Sequence, residues 1–189
     1  TYVWHNKVLR GVLIVTVLVN LFVFPYIQLT PVFARDVFEV GPAQLGLMSG
    51  MDGLGALVGT ISLASILVVK RRGVIFLAGS LLMCVGAFLF GISGNYILAI
   101  PCLALGGIGM AGVATMQMAI AVTEPSAEMR GRAMGAIAFG IGLLPVGMLY
   151  MGLFAERFGA SAAVTYNSLG CIVALMVVLL TQPSLRRLG

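Results

Sequence analysis

Six apolar runs constrain this chain more than any other feature. They cover 9–30, 43–69, 73–93, 96–122, 132–154 and 160–181. Each approaches or exceeds the roughly 20 residues a helix needs to cross a bilayer. Membrane barrel strands would be about 10 residues long and would alternate in polarity, and these runs do not alternate. Only 9% of the residues are charged, against roughly 25% in a typical soluble domain, and the mean hydropathy is +1.11. A soluble fold cannot hide that much apolar surface. The expectation is an all-α integral membrane protein in which residues 1–189 form a single six-helix bundle.

Charge sets the expected orientation. With six spans the connections alternate sides. Lys7, Arg10, Lys70, Arg71, Arg72, Arg130, Arg132, Arg186 and Arg187 then share one side, and only Arg35 and Arg157 lie on the other. Cytoplasmic loops carry the Lys/Arg excess, so both termini are expected in the cytoplasm. The net charge of +5 therefore reads as topology, and no basic face interleaved with aromatics points to nucleic acid. Trp4, Tyr26, Tyr96 and Tyr150 fall near predicted helix ends, where interfacial anchors collect. The chain starts at Thr1 rather than Met, which is the expectation for a piece of a longer protein. Cys84, Cys102 and Cys171 all lie inside apolar runs and have no CxxC or metal spacing, so they read as small apolar side chains.

A weak internal repeat appears at a spacing of about 86 residues: Gly11 corresponds to Ile97, Arg71 to Arg157 and Gly73 to Gly159. One copy would lie inside and the other outside, the inverted 3+3 arrangement of many transporters. The connections are short. The longest are TPVFARDVFEV (30–40), expected outside, and TEPSAEMRGR (123–132), expected inside. Small-xxx-small spacings occur at Gly46/Gly50, Gly55/Gly59 and Gly131/Gly135, and such spacings let helix backbones approach closely in lipid. Pro25 and Pro145 lie inside spans and each removes an intrahelical hydrogen bond. They read as kinks or as pivots. The third span has only Ser80 and Cys84 as polar or thiol groups at depth and reads as an outer helix facing lipid.

Two motifs imitate soluble or intramembrane enzymes. GIGMAG (107–112) matches GxGxxG, which binds a pyrophosphate only between a strand and a helix N-terminus, and here it lies mid-span. GISG (91–94) matches the GxSG of rhomboid proteases, but the sole histidine, His5, is at the chain's start and cannot serve Ser93 as a base. With no catalytic constellation, no metal-ligand cluster and no cofactor motif, an enzyme is not expected.

The stretch SGMDGLGALVG (49–59) carries the one ionisable residue deep in a span. Asp52 lies about nine residues into its span, roughly 14 Å at 1.5 Å per residue. A charged side chain there costs about 2.5–3.5 kcal/mol on insertion scales. Gly55, Ala56, Gly59 and Ser62 share its face, whereas Leu47, Leu54, Val58 and Ile61 form the opposite one. Asp52 should therefore point into the bundle. Two roles stay open: a proton or cationic-substrate site, or a structural carboxylate held by polar groups of the first span. Thr16, Asn20, Phe24 and Gln28 drift around roughly one face of that span, and Thr115 and Gln117 lie at depth in the fourth. They read as interhelical hydrogen-bonding groups or as the lining of a cavity.

The residues also carry a likeness. PVFARDVFEVGPAQLGLMSGMDGLGALVG (31–59) resembles the start of the C-terminal half of major facilitator superfamily transporters, nearest the branch of the enterobactin exporter and related drug-efflux proteins. EPSAEMRGRAMGAIAFGIG (124–142) is similar to that branch's cytoplasmic loop and next helix, GLFAERFGA (152–160) to its A-[DE]-R-F-G turn, and PSLRR (183–187) to a common ending. The resemblance implies helices seven to twelve of a twelve-helix protein, one half of the fold, partnered by an N-terminal six-helix half. It implies that spans one and four line the cavity, which makes Asn20, Phe24, Gln28 and Gln117 candidate lining residues. VVKRRG (68–73) departs from the superfamily's G-x-L-x-D-R-x-G-R-R loop by lacking the aspartate. Its Lys70, Arg71 and Arg72, with Glu124, Glu128, Arg130 and Arg132, are candidates for a cytoplasmic gate, the basic groups pairing with Glu124 or Glu128.

The function expected is export of a small molecule, siderophore or drug-like, across the bacterial inner membrane. Alternating access would drive it, with protons as coupling ion and Asp52 as candidate coupling or substrate group. The alternatives are a six-helix scaffold or accessory protein without transport, and a half-size transporter acting as a homodimer.

Overall fold

The computed structural model of the protein describes residue 4, residues 6–65 and residues 71–186. Those residues are almost entirely helical, and six helical stretches are long and apolar enough to cross a membrane. The first stretch, Lys7–Val37, contains α1 (Lys7–Phe22), α2 (Tyr26–Val32) and a wide π-turn over Phe33–Val37. Then come α3 (Pro42–Ala64), α4 (Arg72–Ile92) and α5 (Tyr96–Thr123). The fifth stretch, Ala127–Phe158, opens with a 3-10 turn and holds α6 (Arg130–Ile141) and α7 (Leu144–Phe158). α8 (Ala160–Thr181) is the sixth, and the short α9 (Pro183–Arg186) folds back onto α1, α4 and α8. Lys70, Arg187 and His5 lie outside the described residues.

Local chemistry sets the ends. Asn6 caps α1, its side chain accepting from the Val8 and Leu9 amides at 3.0 and 3.2 Å, and Asn95 caps α5 through the Ile97 amide at 2.8 Å. Such caps satisfy amides that have no intrahelical partner. Gly159 joins α7 to α8 at φ 87°, in the left-handed region that favours glycine.

Both prolines do more than bend their helices. Pro25 has no amide, and the preceding Phe24 amide reaches back to the Val19 carbonyl at 2.9 Å, so the first stretch opens into a turn over 23–25. Pro145 stands at the start of α7, after a second break at Gly142 and Leu143. The connection over 30–40 is also shorter than expected. Phe33 and Ala34 are buried, the wide turn continues the helix, and only Phe38–Gly41 separate it from α3. The Arg35–Asp36 pair resembles loop chemistry in the sequence, but it sits on the exposed side of that turn.

α5 is the hub. It packs along α3 on one side and α4 on the other, and α4 in turn packs along α8; α1 contacts α6, α7 and α8. Glycines make the close approaches possible. A Cβ on Gly55 would strike the Ala104 backbone, one on Gly107 the Asp52 carbonyl, and one on Gly86 would come within 2.6 Å of the Gly106 amide nitrogen. Gly109 and Gly112 face Met83 and Gly79 of α4. The GIGMAG run is thus a two-sided packing seam in mid-helix. Of the three small-xxx-small pairs, Gly55/Gly59 is filled by α5, whereas Gly46/Gly50 and Gly131/Gly135 have nothing within 4 Å.

The third span departs from its expected outer position. α4 is the most buried of the six stretches within the bundle, held between α5 and α8. Its apolar sequence suits a helix neighbour as well as lipid, and Gly73, Gly79, Gly86 and Gly91 are all buried. Cys84 on α4 and Cys171 on α8 are buried, and Cys102 is partly buried. The paired positions of the repeat differ locally: Arg71 precedes α4 whereas Arg157 lies in the last turn of α7, and Gly73 is helical whereas Gly159 is not.

Candidate functional site

Three elements meet at Asp52. α3 carries it near mid-length, ten residues after Pro42, or about 15 Å along the helix axis. Tyr26, the first residue of α2, follows the proline break and points its ring inward. Its hydroxyl donates to Asp52 Oδ1 at 2.7 Å. α5 contributes no side chain to the pair, only space. A Cβ on Gly106 would lie 3.3 Å from the Tyr26 hydroxyl oxygen and 3.9 Å from Asp52 Oδ1. Asp52 itself is half-buried, and no cationic group pairs with it among the described residues.

The expected facing of α3 is what the structure has. Gly55 and Gly59 are buried against α5, while Leu47, Leu54, Val58 and Ile61 are each more than half exposed. Ser62 departs from it: it is exposed, its hydroxyl donating to the Val58 carbonyl at 2.8 Å.

Tyr26 is the Asp52 partner that sequence reasoning missed. It is 3% exposed, not an interfacial anchor, because the helical stretch continues to Val37 and leaves Tyr26 well inside it. The available signal was a donor on the first span within reach of a lone carboxylate. Its ring also packs on Phe90, centroids 6.0 Å apart. Phe90 stacks on Phe33 at 4.3 Å, and Phe38 and Tyr96 extend the cluster. Aromatic rings thus join the Asp52 neighbourhood to the turn over 33–37.

The other candidates are dispersed. Asn20 is buried, but its amide donates to the Thr16 carbonyl of its own helix at 2.8 Å. Gln117 is buried on α5, Phe24 is half-buried beside the break, and Gln28 is exposed on α2. Among the described residues no hydrogen bond joins any of them to Asp52 or to one another. Ser93, of the GISG motif, donates to the Phe90 carbonyl at 2.7 Å.

At the opposite end the gate candidates partly converge. Arg72 donates to the Thr123 hydroxyl at 2.8 Å, next to Glu124, which caps the end of α5. Arg71 is exposed just before α4, and Arg130 and Arg132 begin α6, with Glu128 in the 3-10 turn before them. The expected pairing with Glu124 or Glu128 is absent among the described residues, whose ion pair is Arg35 with Asp36 at 2.6 Å. Arg72 bonds the Thr123 hydroxyl instead. Lys70 lies outside the described residues.

Six long apolar helices packed through glycine seams, with one carboxylate held at depth, define an integral membrane bundle of the kind that forms half of a transporter fold. The family model of the Major Facilitator Superfamily matches residues 1–145, and the chain belongs to that superfamily. Its members are membrane transporters, which bind small-molecule substrates within a lipid bilayer. No curated protein matches the chain.

Proposed function

We propose that this chain is the C-terminal half of a proton-driven exporter, working with an N-terminal six-helix half to move a siderophore or drug-like molecule out of a bacterial cell. The observation that carries the reading is the Asp52 carboxylate: near mid-helix, half-buried, bonded to a neutral tyrosine and without a cationic partner among the described residues. A carboxylate so placed can take up and release a proton without breaking an ion pair. Loss of its charge would weaken the Tyr26 bond and loosen α2 from α3, biasing one arrangement of the bundle over another. A proton crossing the full field gains about 2.3 kcal/mol per 100 mV.

The pairing with a second half is supported by α3 and the α6–α7 stretch, the two least buried of the six. Both present open glycine pairs, Gly46/Gly50 and Gly131/Gly135. Placement in the bacterial inner membrane, with cytoplasmic termini, rests on the nine-to-two distribution of basic residues. Asn20, Phe24, Gln28 and Gln117 would line the substrate path, and Arg71, Arg72, Glu124, Glu128, Arg130 and Arg132 the cytoplasmic gate. The enterobactin and drug-efflux resemblance supplies the substrate class.

Tyr26 also favours a second reading, in which Asp52 is a structural carboxylate tying α2 to α3. Efflux of a siderophore and drug panel from cells carrying the full-length protein separates the two. Uncoupler-sensitive export by wild type that is lost in Asp52→Asn, at matched membrane levels, supports coupling. Uncoupler-sensitive export that persists in Asp52→Asn leaves the structural role. No export of any panel member by wild type sinks the exporter reading.

A further inference from the structure

On the side of the bundle away from Asp52, α4 and α8 run antiparallel. Gly91 packs on Thr165 at one end, while Val74 and Leu179 share a groove at the other. The groove is an apolar cavity of about 220 Å³, walled by Val74, Leu77, Ala78 and Leu81 from α4 and by Leu175 and Leu179 from α8. Leu77 and Leu175 are its buried floor, while Val74, Ala78 and Met176 form exposed lips. For scale, an apolar cavity of roughly 150 Å³ stays dry and accepts a benzene-sized molecule. Every lining side chain is aliphatic or thioether, so no lining side chain donates a hydrogen bond and the site favours an apolar occupant.

One end of the groove is charged. Arg71 immediately precedes the first turn of α4, three residues before Val74 at that end of the groove. Its neighbour Arg72 is engaged with the Thr123 hydroxyl. Arg71 is exposed and forms no ion pair among the described residues. The groove spans residues 74–81 of α4, about 10 Å along the axis at 1.5 Å per residue. A cation just before the helix, beside an aliphatic slot that opens sideways, has the polarity order of a phospholipid.

We infer that this groove is a binding site for an anionic phospholipid: one acyl chain lies between α4 and α8, and the Arg71 guanidinium binds the phosphate. Arginine suits that partner because its planar donors match phosphate oxygens. The site is separate from Asp52 and does not depend on the direction or substrate of transport.

The test is native mass spectrometry of the purified full-length protein with phosphatidylglycerol or phosphatidylcholine of identical acyl chains. Wild type should retain phosphatidylglycerol in preference to phosphatidylcholine. Arg71→Gln should lose that preference, about fivefold for one basic residue near an anionic lipid surface, while still retaining both lipids through the groove. Ala78→Phe, at an exposed lip, should fill the slot and reduce retention of both, with an unchanged melting temperature showing that the bundle is intact. Equal retention of the two lipids by wild type would overturn the site. So would a preference that survives Arg71→Gln, or phosphatidylglycerol retention that survives Ala78→Phe.

Discussion

The Tyr26 hydroxyl donates to Asp52 Oδ1 at 2.7 Å, joining the segment after the Pro25 break to the middle of α3. A tyrosine and an aspartate 26 residues apart thus share one proton-mediated contact inside the bundle. Gly106 leaves the space for it, since any larger residue would crowd the hydroxyl.

Removing the donor should cost stability and expose coupling. Interhelical hydrogen bonds in membranes average about 0.6 kcal/mol and reach about 1.7. A double-mutant cycle of Tyr26→Phe and Asp52→Asn, read by denaturant unfolding of the purified protein, should give a coupling near the upper end. A coupling of zero would mean that the two groups do not interact in the folded protein.

Glycines with and without neighbours should respond oppositely. Gly107→Ala drives a methyl into the Asp52 carbonyl, and overpacking of this kind costs about 1–3 kcal/mol. Gly170→Ala, on α8 and outside the face assigned to the second half, meets nothing within 4 Å and should be neutral, or stabilising by up to about 1 kcal/mol through helix propensity. Comparing unfolding midpoints of the two variants tests the α3–α5 seam.

Pro25→Ala restores an amide where the first stretch is interrupted. Circular dichroism should show equal or higher helicity and unfolding should show equal or higher stability, because the break no longer interrupts the ladder. If the break serves as a pivot, transport should slow. Unchanged transport with higher helicity would make the break a packing feature.

The Asn6 side chain accepts two amides at the start of α1. Asn6→Ala should cost about 1 kcal/mol, as loss of such caps does, while Asn6→Ser should recover most of it. Arg35→Gln, by contrast, should leave the unfolding midpoint unchanged, because the Arg35–Asp36 pair is exposed to solvent.

Much of the architecture is legible without coordinates. Length and hydropathy belong to each segment by itself, so six crossing helices follow directly, and α8 occupies the same 160–181 limits read from the sequence. The inward face of α3 is legible too, since glycines at Gly55 and Gly59 can serve only a close neighbour. Less legible are the stretches where polar residues sit on helices. Arg35 and Asp36 suggest a loop, yet they ride on a turn whose other side, Phe33 and Ala34, is buried. The fifth stretch likewise extends past its apolar limits, to Ala127 and Phe158.

Sequence alone determined that this chain is a six-helix membrane bundle with a single deep carboxylate facing inward. Tertiary structure decided that Tyr26 holds that carboxylate, that α5 is the hub, and that α4 lies between helices rather than outside them. The reason is physical. In lipid a helix neighbour and an acyl chain are equally apolar, so hydropathy marks which segments cross the membrane but not which side chains meet. That depends on where helices come close enough to exclude a methyl group, and on which donor the packing brings within 2.7 Å of Asp52.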